Sequence, residues 1–133
     1  MIGRLSTVVL DCPDPRALAE FYSAVLGLPI TRVDGDWIDI GEPGGTAVSF
    51  QHAPDHVPPR WPDPAYPQQI HLDVVVGDIE EAEPKVLALG AAKIGEAPYF
   101  RVYTDPAGHP FCLVWGQPGE DGRPEEPPAT ADR

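Results

Sequence analysis

Only two cysteines occur in the 133 residues, and Cys12 and Cys112 lie far apart. That spacing excludes a disulfide framework and fits no zinc-finger pattern. Positive charge is also scarce: nine lysines and arginines stand against 21 acids, a net charge of −12. Such a surface repels phosphate, so neither nucleic acid nor an anionic membrane is an expected partner. No apolar run approaches the roughly 20 residues of a spanning helix. The start, Met1–Leu10, has no signal-peptide core or cleavage site. A glycine-rich phosphate loop and a serine nucleophile elbow are missing too. These absences lead to the expectation of an acidic, soluble, cytoplasmic protein.

What is present is globular. Hydrophobic residues make up 42% of a chain long enough for one domain that needs no disulfides. The 18 prolines and 13 glycines gather at joints. Glu42-Pro43-Gly44-Gly45 marks a turn between short strands. From Ala53 to Pro67 prolines are too dense for a central strand or helix, which suggests an extended connector. From Gln117 to Arg133 no large apolar residue occurs, so residues 117–133 are expected to form a disordered acidic tail behind a domain of 1–116.

The segments flanking the connector are alike. Leu5-Ser-Thr-Val-Val-Leu-Asp-Cys12 and Gln69-Ile-His-Leu-Asp-Val-Val-Val76 are β-branched runs, each followed by a helix N-cap, Asp14 or Asp78. Leu18, Phe21, Tyr22, Val25 and Leu26 then recur at helical spacing and stop at Gly27. Ile79, Ala82, Val86 and Leu89 do the same and stop at Gly90, although Pro84 is expected to kink that helix. Short strand-like pieces follow each helix: Ile30–Val33, Trp37–Ile40 and Thr46–Gln51, then Ala92–Ile94, Phe100–Tyr103 and Pro110–Trp115. A βαβββ unit therefore occurs twice, over about 3–52 and about 68–116, with the connector over 53–67. The fold class is α+β.

Alternation assigns the strand faces. Ile70, Leu72 and Val74 are wholly apolar and should meet the helix, leaving His71, Asp73 and Val75 on the face lining a cleft. Superposing Asp14 on Asp78 puts Thr7 opposite His71.

Several stretches together carry a family likeness: Leu10-Asp-Cys-Pro-Asp14, Phe21-Tyr-Ser-Ala-Val-Leu-Gly27, Ile70-His-Leu-Asp-Val-Val-Val76 with Asp78, Leu89-Gly-Ala91, and Asp105-Pro-Ala-Gly-His-Pro-Phe-Cys-Leu-Val114. In these the chain resembles the vicinal oxygen chelate superfamily, the glyoxalase and bleomycin-resistance-like proteins, over roughly residues 3 to 116. The Trp61-Pro-Asp-Pro64 stretch and the Phe-Cys-Leu ending resemble its glyoxalase-like branch of bacterial proteins. The resemblance implies paired βαβββ modules whose sheets curl around a cavity. It also implies one metal ligand on the first and last strand of each module, typically two His and two Glu or Gln. Carried over, those places are Thr7, Gln51, His71 and Cys112. Only His71 is of the usual type, and the set lacks the carboxylates that Mg²⁺ or Mn²⁺ wants. No cofactor is therefore expected. A divalent metal is the alternative, with His71, Gln51 and Cys112 as its ligands.

His71 with Asp73 is the candidate acid–base pair, since residues i and i+2 of a strand share a face about 6.5–7 Å apart. Trp61 lies where no periodicity demands burial, so it is read as a cavity wall. Tyr99, Arg101 and Tyr103 alternate onto one face, where Arg101 could meet a ligand carboxylate. Thr7, Gln51, Trp61, Arg101, Tyr103 and Cys112 are thus the candidate ligand contacts. His52 and His56 are read as solvated loop residues, and His109 as part of a turn. Cys112 on an apolar strand reads as a buried hydrophobe rather than a nucleophile. The favoured function is metal-independent binding of a small, partly aromatic or carbonyl-containing molecule. A lyase, isomerase or epimerase using His71 and Asp73 is the alternative enzyme reading, and a regulatory module with a vestigial cavity is the third. A homodimer is left open.

Overall fold

The computed structural model describes residues 1–45 and 47–116, and the tail expected over 117–133 lies outside them. The chain divides into two compact units, Met1–Val57 and a second beginning at Pro58. In the first, β1 (Thr7–Cys12) leads into α1 (Pro15–Leu26), then β2 (Ile30–Asp34), β3 (Trp37–Ile40) and β4 (Ala47–His52). The second repeats this with β5 (Leu72–Val75), α2 (Ile79–Ala88), β6 (Ala92–Ala97), β7 (Phe100–Thr104) and β8 (Pro110–Val114). The sheets have matching orders, β1-β4-β3-β2 and β5-β8-β7-β6. In each, the first strand pairs in parallel with the last, and the remaining pairs are antiparallel. The expected duplication is the architecture: two mixed four-stranded sheets, each with one helix.

Local chemistry sets the helix ends. Asp14 accepts a hydrogen bond from the Ala17 N–H at 3.1 Å, Pro15 opens the first turn, and Gly27 ends α1 with φ +67°. That left-handed backbone strains any residue with a Cβ. Asp78 caps α2 through the Glu80 and Glu81 N–H groups. Helix α2 runs on past Pro84 to Ala88. It is held at its start by this cap and by the burial of Ile79 and Val86, which outweighs the one backbone bond that proline lacks. Replacing Asp14 by alanine should cost about 1 kcal/mol, read as a lowered thermal midpoint. A loss below about 0.3 kcal/mol would mean the cap contributes nothing.

Burial follows the alternation. In unit one Leu10, Cys12, Ile38, Ile40 and Phe50 pack beneath Leu18, Phe21 and Tyr22 of α1, and the Tyr22 ring stacks on Phe50 at 5.9 Å. In unit two Tyr103, Phe111, Leu113 and Val114 are buried, with the Tyr103 and Phe111 rings stacked at 5.5 Å. The edges β2 and β6 each carry a register shift, at Ile30/Arg32 and Lys93/Gly95. The proline-rich stretch is not simply extended. Around Trp61 it folds into turns, with the Arg60 N–H donating to the Tyr66 carbonyl at 2.7 Å and the Arg60 guanidinium 4.6 Å from the Tyr66 ring centre. Among the described residues, no helix is long and apolar enough to cross a membrane.

Candidate functional site

The second unit's sheet turns one face to α2 and the other to a cavity. Register places Asp73 beside Cys112, Cys112 beside Val102, and Val102 beside Gly95, so one row crosses all four strands. Neighbours in register share a face, so Asp73, Cys112 and Val102 lie on the same side. Trp61 leans over the far end of this row. A Cβ built on Gly95 would lie 3.8 Å from its ring, an ordinary contact distance, so Gly95 sits directly beside the indole. Trp61, Gln68, His71, Phe100, Val102 and Cys112 line a half-open cavity of about 610 Å³. Its walls are mostly hydrocarbon, and its polar groups are few.

His71 immediately precedes β5, and its Nε2 lies 3.3 Å from Asp73 Oδ1. Both side chains remain partly open to solvent, at 37% and 25% exposure. Cys112 is 5% exposed, in a cluster with Val102 and Val114 against which Phe100 packs. Burial pushes its thiol above the usual range. The free thiol is therefore protonated near neutrality and a poor nucleophile. One donor atom each from His71, Asp73 and Cys112 nevertheless lie within 4.8 Å of one another.

Arg101 and Tyr103 are on the opposite face. Tyr103 pairs in register with Phe111 in the core, and its hydroxyl donates to Glu83 of α2 at 2.8 Å. Burial and Glu83 hold that phenol protonated well above its ordinary value. Arg101 contacts Glu80 at 2.7 Å, Glu83 at 2.9 Å and Glu96 at 3.5 Å. Its guanidinium is thus taken up by the helix's carboxylates, away from the cavity. The residues that line the cavity from this strand are Phe100 and Val102, which sequence reasoning passed over. The signal available was the pair Glu80 and Glu83, spaced three apart on α2, which draws Arg101 to the helix side.

In the first unit Thr7 Oγ1 is 2.7 Å from Ser49 Oγ, and the Ser49 hydroxyl donates to Asp39 Oδ1 at 2.5 Å. The Trp37 indole donates to the same oxygen at 2.6 Å. This chain borders a small polar cleft that Arg32 also lines. Gln51 is elsewhere, exposed and in register with Asp11. Thr7 pairs with Ala47, at the other end of the β1–β4 ladder, so about 13 Å of strand separates it from Gln51. One ion cannot bind both. The registers Val9–Ser49 and Asp73–Cys112 show that Cys112's counterpart in the first unit is Ser49, two residues before Gln51. Of the other histidines, His52 is 3.7 Å from Asp36, and His109 closes a turn with Asp105 at 3.0 Å.

The donor chemistry does not suit a hard ion. Thr7 and Ser49 are neutral hydroxyls already bonded to each other, and Cys112 is a sulfur donor. Mg²⁺ or Mn²⁺ would find one carboxylate, Asp73, beside an imidazole and a thiol. The trio His71, Asp73 and Cys112 fits a borderline ion such as Zn²⁺, which accepts N, O and S together.

A family model described as a glyoxalase-like domain matches residues 7–114. Among solved structures, the chain is similar to a glyoxalase/bleomycin resistance protein/dioxygenase family enzyme from Burkholderia phytofirmans PsJN. The TM-score is 0.68 and the identity 18%, covering 85% of this chain and 98% of that one. It is also similar to a possible glyoxalase from Bacillus cereus (TM-score 0.64, 16% identity, 86% and 99% covered). The trypanothione-dependent glyoxalase I of Leishmania major is similar at TM-score 0.62 and 20% identity, with 84% and 86% covered. At such identities the likeness is one of fold, since activity belongs to the site. No curated protein matches the sequence.

Proposed function

This chain belongs to the glyoxalase-like domain family, and we propose that it binds a small, planar, partly aromatic molecule bearing a carbonyl oxygen in the cavity of its second unit. The observation that carries this reading is the pairing of Trp61 and Phe100 as apolar walls with His71 and Gln68 as polar groups around about 610 Å³. That volume is within the range of small-molecule sites, and a few placed polar groups among apolar walls are what fix a ligand's orientation. Aromatic walls favour a flat ligand, which stacks on or edges against them. The His71 imidazole can donate to a carbonyl oxygen, and Gln68 offers both a donor and an acceptor. Binding of this kind asks nothing of a metal.

A panel of hydroxylated aromatic aldehydes and ketones tests it, with the indole N–H of Trp61 followed by ¹H–¹⁵N NMR. A binding compound should shift the Trp61 resonance and leave Trp37 unmoved. Replacing Trp61 by alanine should weaken that compound roughly ten-fold, about 1.4 kcal/mol. Equal affinity in the alanine variant would remove Trp61 from the site. Silence across the panel at millimolar concentration would remove the proposal.

The His71–Asp73 contact of 3.3 Å favours a second reading, proton transfer beside the ligand's carbonyl by a lyase, isomerase or epimerase. Turnover of a bound compound, lost in His71→Ala, is its signature.

A further inference from the structure

We infer that Gly108, in the turn between β7 and β8, is a positioning residue for the second unit's cavity: it seats Pro58 and so fixes the strap that carries Trp61. The inference rests on the reading of that cavity as a binding site, and it adds what holds the aromatic wall in place.

The turn is built around a buried carboxylate that ligand binding does not use. Asp105 is 4% exposed. Its Oδ1 accepts from the Ala107 N–H at 2.9 Å and the His109 N–H at 3.0 Å, and its Oδ2 lies 3.0 Å from His109 Nδ1. The Gly108 N–H donates to the Asp105 carbonyl at 2.9 Å, and the Asp105 N–H donates to the His109 carbonyl at 2.9 Å. These bonds hold Gly108 at φ +91°, a backbone conformation that strains any residue with a Cβ. The side chain that glycine lacks would also stand where Pro58 does. A Cβ built on Gly108 would lie 2.5 Å from Pro58 Cβ and 3.3 Å from its Cγ. Carbon atoms in contact stand about 3.5–4.0 Å apart, so a side chain here would push the proline ring back by about 1 Å.

That push reaches Trp61 because the strap is stiff. Pro58 and Pro59 each have a ring-locked φ, so they transmit a displacement instead of absorbing it. Beyond them the chain closes on itself. The Arg60 N–H donates to the Tyr66 carbonyl at 2.7 Å, the Asp63 N–H to the Arg60 carbonyl at 2.7 Å, and the Tyr66 N–H to the Asp63 carbonyl at 3.1 Å. The Asp63 carboxylate accepts from the Ala65 N–H at 2.9 Å. Residues 60–66 therefore move as one piece, resting on the turn through Pro58 and on β6 through the Trp61 ring beside Gly95. A wall placed in advance spares a ligand the cost of ordering a loop. Displacing the indole by about 1 Å forfeits up to about half of its dispersion contact with a ligand. On the free-energy scale of the ten-fold loss expected for Trp61→Ala, half is a roughly three-fold loss.

The test uses the full chain, isotope-labelled, in ¹H–¹⁵N and NOE spectra. Wild type should show one NOE between Pro58 Hβ and Gly108 Hα and another between the Trp61 ring and Gly95 Hα. Gly108→Ala should displace the Trp61 indole and Gly95 resonances, which the ring current links, and weaken a compound bound by wild type roughly three-fold. Gly27→Ala puts a Cβ on another left-handed glycine, with nothing within 4 Å of it. It should lower stability and leave both resonances in place. Adding Pro58→Gly to Gly108→Ala removes the two carbons that collide, and should return the Trp61 resonance toward its wild-type position. The wild-type NOEs need no variant, and absence of the one between Pro58 and Gly108 would overturn the seat. Unmoved Trp61 and Gly95 resonances in Gly108→Ala would do the same. Displaced resonances with unchanged affinity would overturn the positioning role and leave ligand binding standing. If no compound of the panel binds, the resonances of the free protein still decide whether Gly108 places Trp61.

Discussion

Replacing Phe111 by alanine is expected to destabilise the protein by about 3–5 kcal/mol, a large share of the 5–15 kcal/mol that holds a domain. Phe111 is fully buried on the helix-facing side of β8, where its ring stacks on Tyr103, its register partner. Truncation removes the transfer energy of the ring and leaves a hole that β7 and α2 can fill only by moving. Movement is resisted because the Tyr103 hydroxyl is fixed to Glu83. Phe111→Leu keeps most of the volume and should cost less than half as much. Urea unfolding monitored by circular dichroism reads both. A shift under about 1 kcal/mol for Phe111→Ala would show that the second unit's core does not depend on this stack.

Arg101→Met is expected to cost about 2 kcal/mol at neutral pH and to flatten the protein's response to acid. The guanidinium is only 14% exposed and contacts three carboxylates. Glu80 and Glu96 are mostly in solvent, where screening leaves little net contribution. Glu83, 20% exposed, is the partner that matters. The Tyr103 hydroxyl, followed by Lys93 and Arg101, holds the Glu83 carboxyl below its ordinary 4.5, against the opposing effect of burial. A depressed carboxylate takes up its proton later in the folded state than in the unfolded one. Its contribution to stability is therefore complete above pH 4.5 and is lost as pH falls from there through the lowered value. Wild type should lose stability across that window. Without Arg101, Glu83 moves back toward its ordinary value, so the variant starts lower and falls less steeply. Denaturant midpoints at pH 7, 5 and 3 measure this, and parallel curves for the two proteins would contradict it.

The fold was readable because each signal occurred twice. Two β-branched strands with a polar face, two aspartate caps and two glycine stops were each ambiguous alone, and their repetition was not. The alternation of His71 and Asp73 against Leu72 and Val74 was readable for the same reason: one face was wholly apolar. Strand β7 offered no such contrast. Tyr99, Arg101 and Tyr103 alternate with Phe100 and Val102, and each set has aromatic or aliphatic bulk. The tie is broken by α2, whose Glu80 and Glu83 draw Arg101 and Tyr103 to the helix side, and helix-to-sheet pairing is not visible in a strand's own pattern. The position of Ser49 was hidden differently. Gln51 comes from the family's ligand pattern, whereas hydrogen-bond register sets Ser49 beside Val9 as it sets Cys112 beside Asp73. The turns around Trp61 were obscured by composition, since prolines announce a break in regular structure without saying how the chain folds there.

The bulges in β2 and β6 have a consequence for association. Each lies in the strand that ends its sheet, beside charges of both signs: Arg32 and Asp34 in one, Lys93 and Glu96 in the other. A strand from another molecule laid along either margin would meet an interrupted ladder and would have to strip water from ions it cannot pair. Charge and interrupted register on these two margins thus disfavour the addition of a further strand.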